Sequence, residues 1–312
     1  MLEENLFTEK YKYLIIKKYR GLYMLIGKRP IEALILILSI LVLATVPATT
    51  LWPFEQEFRP LVAGVKIETI GIIDDEPYIG QCSIGFPAYY DTGWGIFQWR
   101  HFGIITAGHC SWWMRNWDVH QPYVDPDDYD RYLIGSVTKV GSHNSHYTII
   151  YIDAEFVETE TIFWTFNPPS SSTISPYIFD YYETLGTNLI PIDGVYPESN
   201  LQRDLEVYSV GFVTGLKGGY VIEWDRDWYV NGTLFKNLIK VDDMLTCEGD
   251  SGSPLFYVEY EGPDPHAQIL GTLVGGPDEF QMPDGRWCGF TNYFAQVWET
   301  LDDLDINVYT DG

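Results

Sequence analysis

Basic residues are scarce in this chain, and cysteines are scarcer. Its 312 residues carry 19 Lys and Arg against 44 Asp and Glu, and only four cysteines. The shortage of positive charge sharpens past residue 50: 12 of the 19 basic but 40 of the 44 acidic side chains fall in residues 51–312, a net of -28. A body so acidic repels nucleic-acid phosphates and anionic lipid, which makes both poor partners. No Cys-x-x-Cys pair occurs, which argues against a zinc site, and no metal is expected. The longest apolar run, residues 33–46, is 14 residues long, short of the ~20 that span a bilayer. No repeat of fixed period is visible. Capped stretches with a 3.6-residue period are few, and with 46% hydrophobic and 20% charged residues the chain is neither disordered, collagenous nor a coiled coil.

What the first fifty residues do contain reads as an address. Lys10, Lys12, Lys17, Lys18, Arg20, Lys28 and Arg29 make residues 1–30 basic, and the apolar run follows within residues 31–48. Val46-Pro47-Ala48 supplies small residues suited to signal cleavage. Residues 31–48 are therefore a signal peptide or a short membrane anchor, with a buried core helix as the bland alternative. Either export reading puts residues 51–312 outside the cytoplasm, secreted or membrane-anchored. Residues 49–78 would be a short pro-segment or linker. Four cysteines suit an oxidising compartment. They allow three pairings, of which Cys82–Cys110 with Cys247–Cys288 is the local one. Asn231-Gly232-Thr233 is a lone glycosylation sequon.

The body is rich in what strands and turns use: 11 Trp, 23 Tyr and 16 Phe, with 28 Gly and 18 Pro. Short β-type runs recur at residues 103–106, 147–152, 207–213, 220–224 and 269–274. The segment from Asn167-Pro168-Pro169 to about residue 200 has little periodicity and reads as a link between two β units. Near the end, Phe294, Val297, Trp298 and Leu301 share one face of a predicted helix over residues 293–304.

Three motifs carry chemistry: Thr106-Ala107-Gly108-His109-Cys110 at the end of an apolar run, Ile152-Asp153-Ala154-Glu155 in another, and Cys247-Glu248-Gly249-Asp250-Ser251-Gly252-Ser253-Pro254. A serine hydroxyl is a poor nucleophile until a base takes its proton. Histidine titrates in the right range to be that base, and a carboxylate fixes its tautomer and stabilises the imidazolium. Asp118, Asp125, Asp127, Asp128 and Asp130 compete with Asp153 for the third role but sit in Pro-rich, polar loop sequence. His143 and His146 form His-x-x-His inside a Gly/Ser/Asn-rich stretch that reads as a solvated loop.

In the order His, Asp, Ser, at separations of 44 and 98 residues, the motifs together resemble the chymotrypsin-like serine peptidases. Gln81-Cys82-Ser83-Ile84-Gly85-Phe86, the spaced set Val207, Gly211, Thr214-Gly215, Gly219 and Val221, and Cys288-Gly289-Phe290-Thr291 are similar to the bacterial secreted α-lytic and streptogrisin branch. The resemblance covers residues 79–295. It implies an all-β fold of two six-stranded antiparallel barrels with a C-terminal helix: a peptidase domain over 79–312, with the first barrel at about 79–165 and the second at about 200–295. It also implies a catalytic triad of His109, Asp153 and Ser251, and an oxyanion hole from the N–H groups of Gly249 and Ser251. Substrate would be held by Leu245 and Thr246 at the pocket base and by Val274, Gly275 and Gly276 as an added strand. Bridges Cys82–Cys110 and Cys247–Cys288 are expected, and no cofactor.

Two departures from the family pattern stand out. Ser253 replaces a second glycine after the nucleophile. Val274 replaces a serine that supports the catalytic aspartate, with Thr272 as a substitute if the register slips by two. The expected activity is a serine endopeptidase acting on protein or peptide, with an apolar or aromatic residue at P1. The rival is a catalytically silent homologue that binds a partner outside the cell. Forty acids facing 12 bases further predict that stability peaks on the acid side of neutrality.

Overall fold

The computed structural model describes residues 56–73 and 76–310. The basic region and the apolar run lie outside them. Among the described residues no helix is long and apolar enough to cross a membrane.

The second half closes on itself. Strands Glu206–Gly211, Gly215–Val230, Thr233–Asp242, Asn292–Gln296, Asp264–Gly275 and Pro254–Glu261 pair antiparallel in that spatial order, and the last pairs with the first. The result is a six-stranded barrel. Its interior is Val207, Val221, Ile239, Val241, Leu255, Leu270, Leu273 and Phe294, all buried.

The first half is an eight-stranded sheet in the order Asn307–Val308, Phe86–Trp94, Phe97–Thr106, Glu155–Trp164, Leu133–Val140, Asp118–His120, Lys66–Ile73 and Glu76–Ser83. It curls around Ile67, Ile84, Phe102, Ile104, Val119, Val137 and Val157. The Gly85 N–H, just past the last strand of that order, donates to the Ile105 carbonyl at 2.7 Å and draws the curl together.

Three expectations need correction. The barrel begins well before residue 79: Leu61, Ala63, Val65 and Ile67 are buried, and Lys66–Ile73 pairs along its whole length with Glu76–Ser83. Residues 61–73 are therefore part of the folded sheets and not a linker. The segment between the barrels holds two strands, Ile174–Phe179 and Leu189–Val195. The first pairs parallel with Leu61–Ala63 and the second parallel with Asp264–Gly275. Ile174, Ile178, Ile190 and Ile192 are at most 2% exposed, and each such side chain contributes about 1.5–3 kcal/mol by leaving water. The segment thus fills the junction between the halves. The terminal helix starts later than its periodicity suggested, at Val297–Leu304, because Asn292–Gln296 is taken as a barrel strand paired on both sides. Phe294 therefore points into the barrel and not along a helix face.

Candidate active site

The histidine motif lies where strand Phe97–Thr106 ends. Gly108–Ser111 forms one short 3-10 turn, and the Cys82–Cys110 disulfide ties it to the neighbouring strand. Asp153 precedes strand Glu155–Trp164, which pairs antiparallel with Phe97–Thr106. That pairing brings the two motifs to the same end of the sheet.

Asp153 grips His109 twice. Its Oδ1 accepts the His109 backbone N–H at 2.9 Å, and its Oδ2 lies 2.7 Å from Nδ1. The Asp153 side chain is fully buried, whereas the imidazole is 31% exposed. Burial in the cleft works against the imidazolium, but the Asp153 carboxylate overrides it, so the His109 pKa stands above the ordinary value.

Ser251 comes from the second barrel, and the halves meet at its turn. Its carbonyl accepts the Ser83 N–H of the first sheet at 2.8 Å. Gly252 has φ +85°, and a Cβ there would fall 2.1 Å from Thr106 Oγ1 and 3.0 Å from the Ala107 nitrogen. Only glycine permits this approach, which sets the Ser251 turn against the residues leading into His109.

The loop before Ser251 is held open by Asp250. Its buried carboxylate accepts from the N–H groups of Val213 (2.8 Å), Thr214 (3.3 Å) and Cys247 (2.9 Å) and from Thr214 Oγ1 (2.9 Å). Burial raises its pKa, and these donors pull against the rise. Gly249 sits at φ +101°, where a Cβ would meet the Phe212 ring at 2.8 Å, and Ser83 Oγ donates to its carbonyl at 3.3 Å. Among the described residues, neither the Gly249 N–H nor the Ser251 N–H has an acceptor. Two free donors at and beside Ser251 can receive a developing oxyanion. Ser253 is buried, and its Oγ donates to the Asp250 carbonyl, which closes the turn.

Beside Ser251 lies a cavity of about 100 Å³. Thr246, Gly275 and Gly276 line it; Leu245 and Val274 do not. Asn292 lines it as well; its fully buried amide accepts from Thr246 Oγ1 and donates to the Met244 carbonyl. The side chain of Val274 packs away from the cavity with Trp113, Ile150, Phe235, Leu238 and Ala295. The Cys247–Cys288 bridge forms part of the wall. The solvent side carries the exposed acids Glu248 and Asp278, which the sequence reading did not place there. Thr272 does not replace the missing support for Asp153: its Oγ1 is buried without a partner.

Of the metal-type ligands among the described residues, Cys82, His109 and Cys110 form a group, but two of its three atoms are disulfide sulfurs, so it offers a single ligand. His143 stacks on Tyr147 at 4.5 Å and is not joined by His146 in any such group.

No family model matches the chain, and no curated protein matches it by sequence. Solved structures do match. A Nocardiopsis protease aligns with TM-score 0.51 and 18% identity, covering 80% of this chain and 98% of that one. Protease A of Thermobifida fusca aligns with TM-score 0.50 and 16% identity, covering 80% and 98%. The fold is that of the chymotrypsin-like serine peptidases.

On this fold several groups around the site had no motif to announce them. Trp113 lies 6.4 Å from His109 and 5.9 Å from Tyr147, centroid to centroid, and walls the histidine on one side. Ser111 Oγ donates to Glu155 Oε2, two residues beyond His109 and Asp153 respectively, so a second tie runs beside the first. Ser83 and Thr214 hold the loop before Ser251 from 166 and 36 residues away. Each is an ordinary polar residue whose role depends on a distant partner.

Proposed function

We propose that this chain is a serine endopeptidase working outside the cytoplasm, with Ser251 as nucleophile, His109 as general base and acid, and Asp153 as the group that orients and stabilises the imidazolium. The observation that carries this reading is the pair of hydrogen bonds between Asp153 and His109, on the chain segment against which the turn carrying Ser251 packs. His109 Nε2 takes the Ser251 proton as Oγ attacks the scissile carbonyl, and the N–H groups of Gly249 and Ser251 receive the negative oxygen. The tetrahedral adduct collapses, the amine leaves with the proton from His109, and water repeats the sequence to release the acid. Gly275 and Gly276 present backbone to an extended substrate. The buried lining of Thr246, Asn292, Leu273 and the disulfide is uncharged, which suits an apolar or aromatic P1 side chain. Two disulfides support an oxidising location.

A fluorophosphonate tests the reading. It should label Ser251 alone, and the label should vanish in Ser251→Ala and His109→Ala. Asp153→Asn should keep the fold and lose about 10⁴-fold in turnover, because the imidazole is then held in the wrong tautomer. Folded protein that takes no label and cuts no peptide at any pH is the silent binding homologue instead.

A further inference from the structure

One end of the first sheet exposes a cluster of large apolar side chains. Residues 92–99 and 161–169 contain no Asp, Glu, Lys or Arg, in a body whose net charge is -28. They lie side by side. Trp94 pairs with Phe97 across a two-residue turn, and Trp99 pairs with Phe163 on the next strand, with ring centroids 5.0 Å apart. Trp94 and Phe166 are 82% and 81% exposed, and Ile96, Phe97, Trp99 and Phe163 are between 45% and 55% exposed. Nothing lies within 4 Å of where a Cβ would stand on Gly95, so the tip projects clear. The other long hairpin, Gly215–Val230 with Thr233–Asp242, also exposes Tyr220, Trp224 and Tyr229, but Glu223, Asp225, Arg226 and Asp227 alternate with them. Exposure of aromatics is therefore general, and at this tip, unlike that hairpin, the exposed rings have no charged residue between them. A contiguous exposed apolar patch of this kind marks an interaction site.

We propose that this tip docks on the interface of a zwitterionic lipid bilayer. Trp and Phe settle at headgroup level, where one side of the ring is wet and the other is not. The next cation along the strand, Arg100, is held at 2.8 and 2.7 Å by both oxygens of Asp91. The tip thus brings no free positive charge for anionic headgroups, and the acidic body repels them, which leaves a neutral surface as the match. From Phe97 the strand runs to Thr106, about 30 Å at ~3.3 Å per residue. The docked protein therefore holds the His109 end away from the bilayer and open to solvent. None of this depends on Ser251 being a nucleophile.

The test uses the full chain with phosphatidylcholine vesicles. Amide hydrogen exchange should slow in residues 92–99 and 161–169 when vesicles are present, and should not change in residues 220–229. The variant W94S/F97S/F166S, altered only at exposed side chains and checked for an unchanged melting temperature, should partition about tenfold or more weakly. Mixed phosphatidylcholine–phosphatidylglycerol vesicles should bind no better. Unchanged exchange at the tip in vesicle-bound protein overturns the proposal, as does equal partition of the variant. Protection that appears without lipid and grows with protein concentration overturns it in favour of a second copy. A strong, salt-sensitive preference for the anionic vesicles overturns it in favour of the basic N-terminal region.

Discussion

Replacing Glu155 by glutamine should remove a decline of stability with rising pH. Glu155 begins strand Glu155–Trp164 and is fully buried. Ser111 Oγ donates to Oε2, while Oε1 has no partner. Burial, and after it the charge of Asp153, push its carboxyl well above the usual range against the pull of Ser111. The folded chain thus keeps a proton here that the unfolded chain releases above about pH 4.3. A folded state that binds the extra proton gains stability at low pH and loses it as pH rises from the ordinary glutamate pKa to the raised one. Within that window the loss is about 1.4 kcal/mol per pH unit. Glutamine has nearly the same shape, still accepts from Ser111 and has no proton to lose. Denaturant unfolding of both proteins, with disulfides intact, should show the variant gaining on the wild type at that slope and the gap levelling above the raised pKa. Asp250 is raised as well, but it is common to both proteins and cancels. Two parallel stability curves between about pH 4 and 8 would refute the reasoning.

Three further outcomes are expected. Because the His109 pKa is raised and the base must be neutral, kcat/KM should climb with pH to a half-maximum above the ordinary histidine value of ~6.5; the stability from the His109–Asp153 pair has the opposite trend, full below ~6.5 and lost as pH passes the raised value. An activity midpoint on the acid side of ~6.5 would contradict this. Thr214→Val removes one donor from the buried Asp250 carboxylate and should cost about 1.5–3 kcal/mol in denaturant unfolding; an unchanged midpoint would show that Thr214 does not hold the loop. Bridges closing 28 and 41 residues should contribute about 3.5 and 4 kcal/mol by limiting the unfolded chain, read from the stabilities of the Cys82→Ala/Cys110→Ala and Cys247→Ala/Cys288→Ala pairs.

The histidine, aspartate and serine motifs were legible because each is short and local, and the structure places the histidine and aspartate motifs at one end of the same sheet. The double-barrel class followed from the same motifs, and the two local disulfides are those the structure contains. Elements whose partners are remote were not legible. Ile174–Phe179 and Leu189–Val195 pair antiparallel with each other and are anchored on their outer sides by parallel pairing with Leu61–Ala63 and Asp264–Gly275, and no local pattern encodes a parallel partner. Phe294 has the spacing of a helix face, yet two neighbouring strands claim its backbone. The pocket base depends on Asn292 reaching Thr246 across 46 residues. The sequence by itself determined that the body would be β-rich and acidic and placed the motifs for the proposed site. Only the tertiary structure decided which groups hold them, how buried Glu155 and Asp250 are, and which end of the sheet is left bare of charge, because burial and hydrogen-bond partnership belong to the packed chain and not to any segment of it.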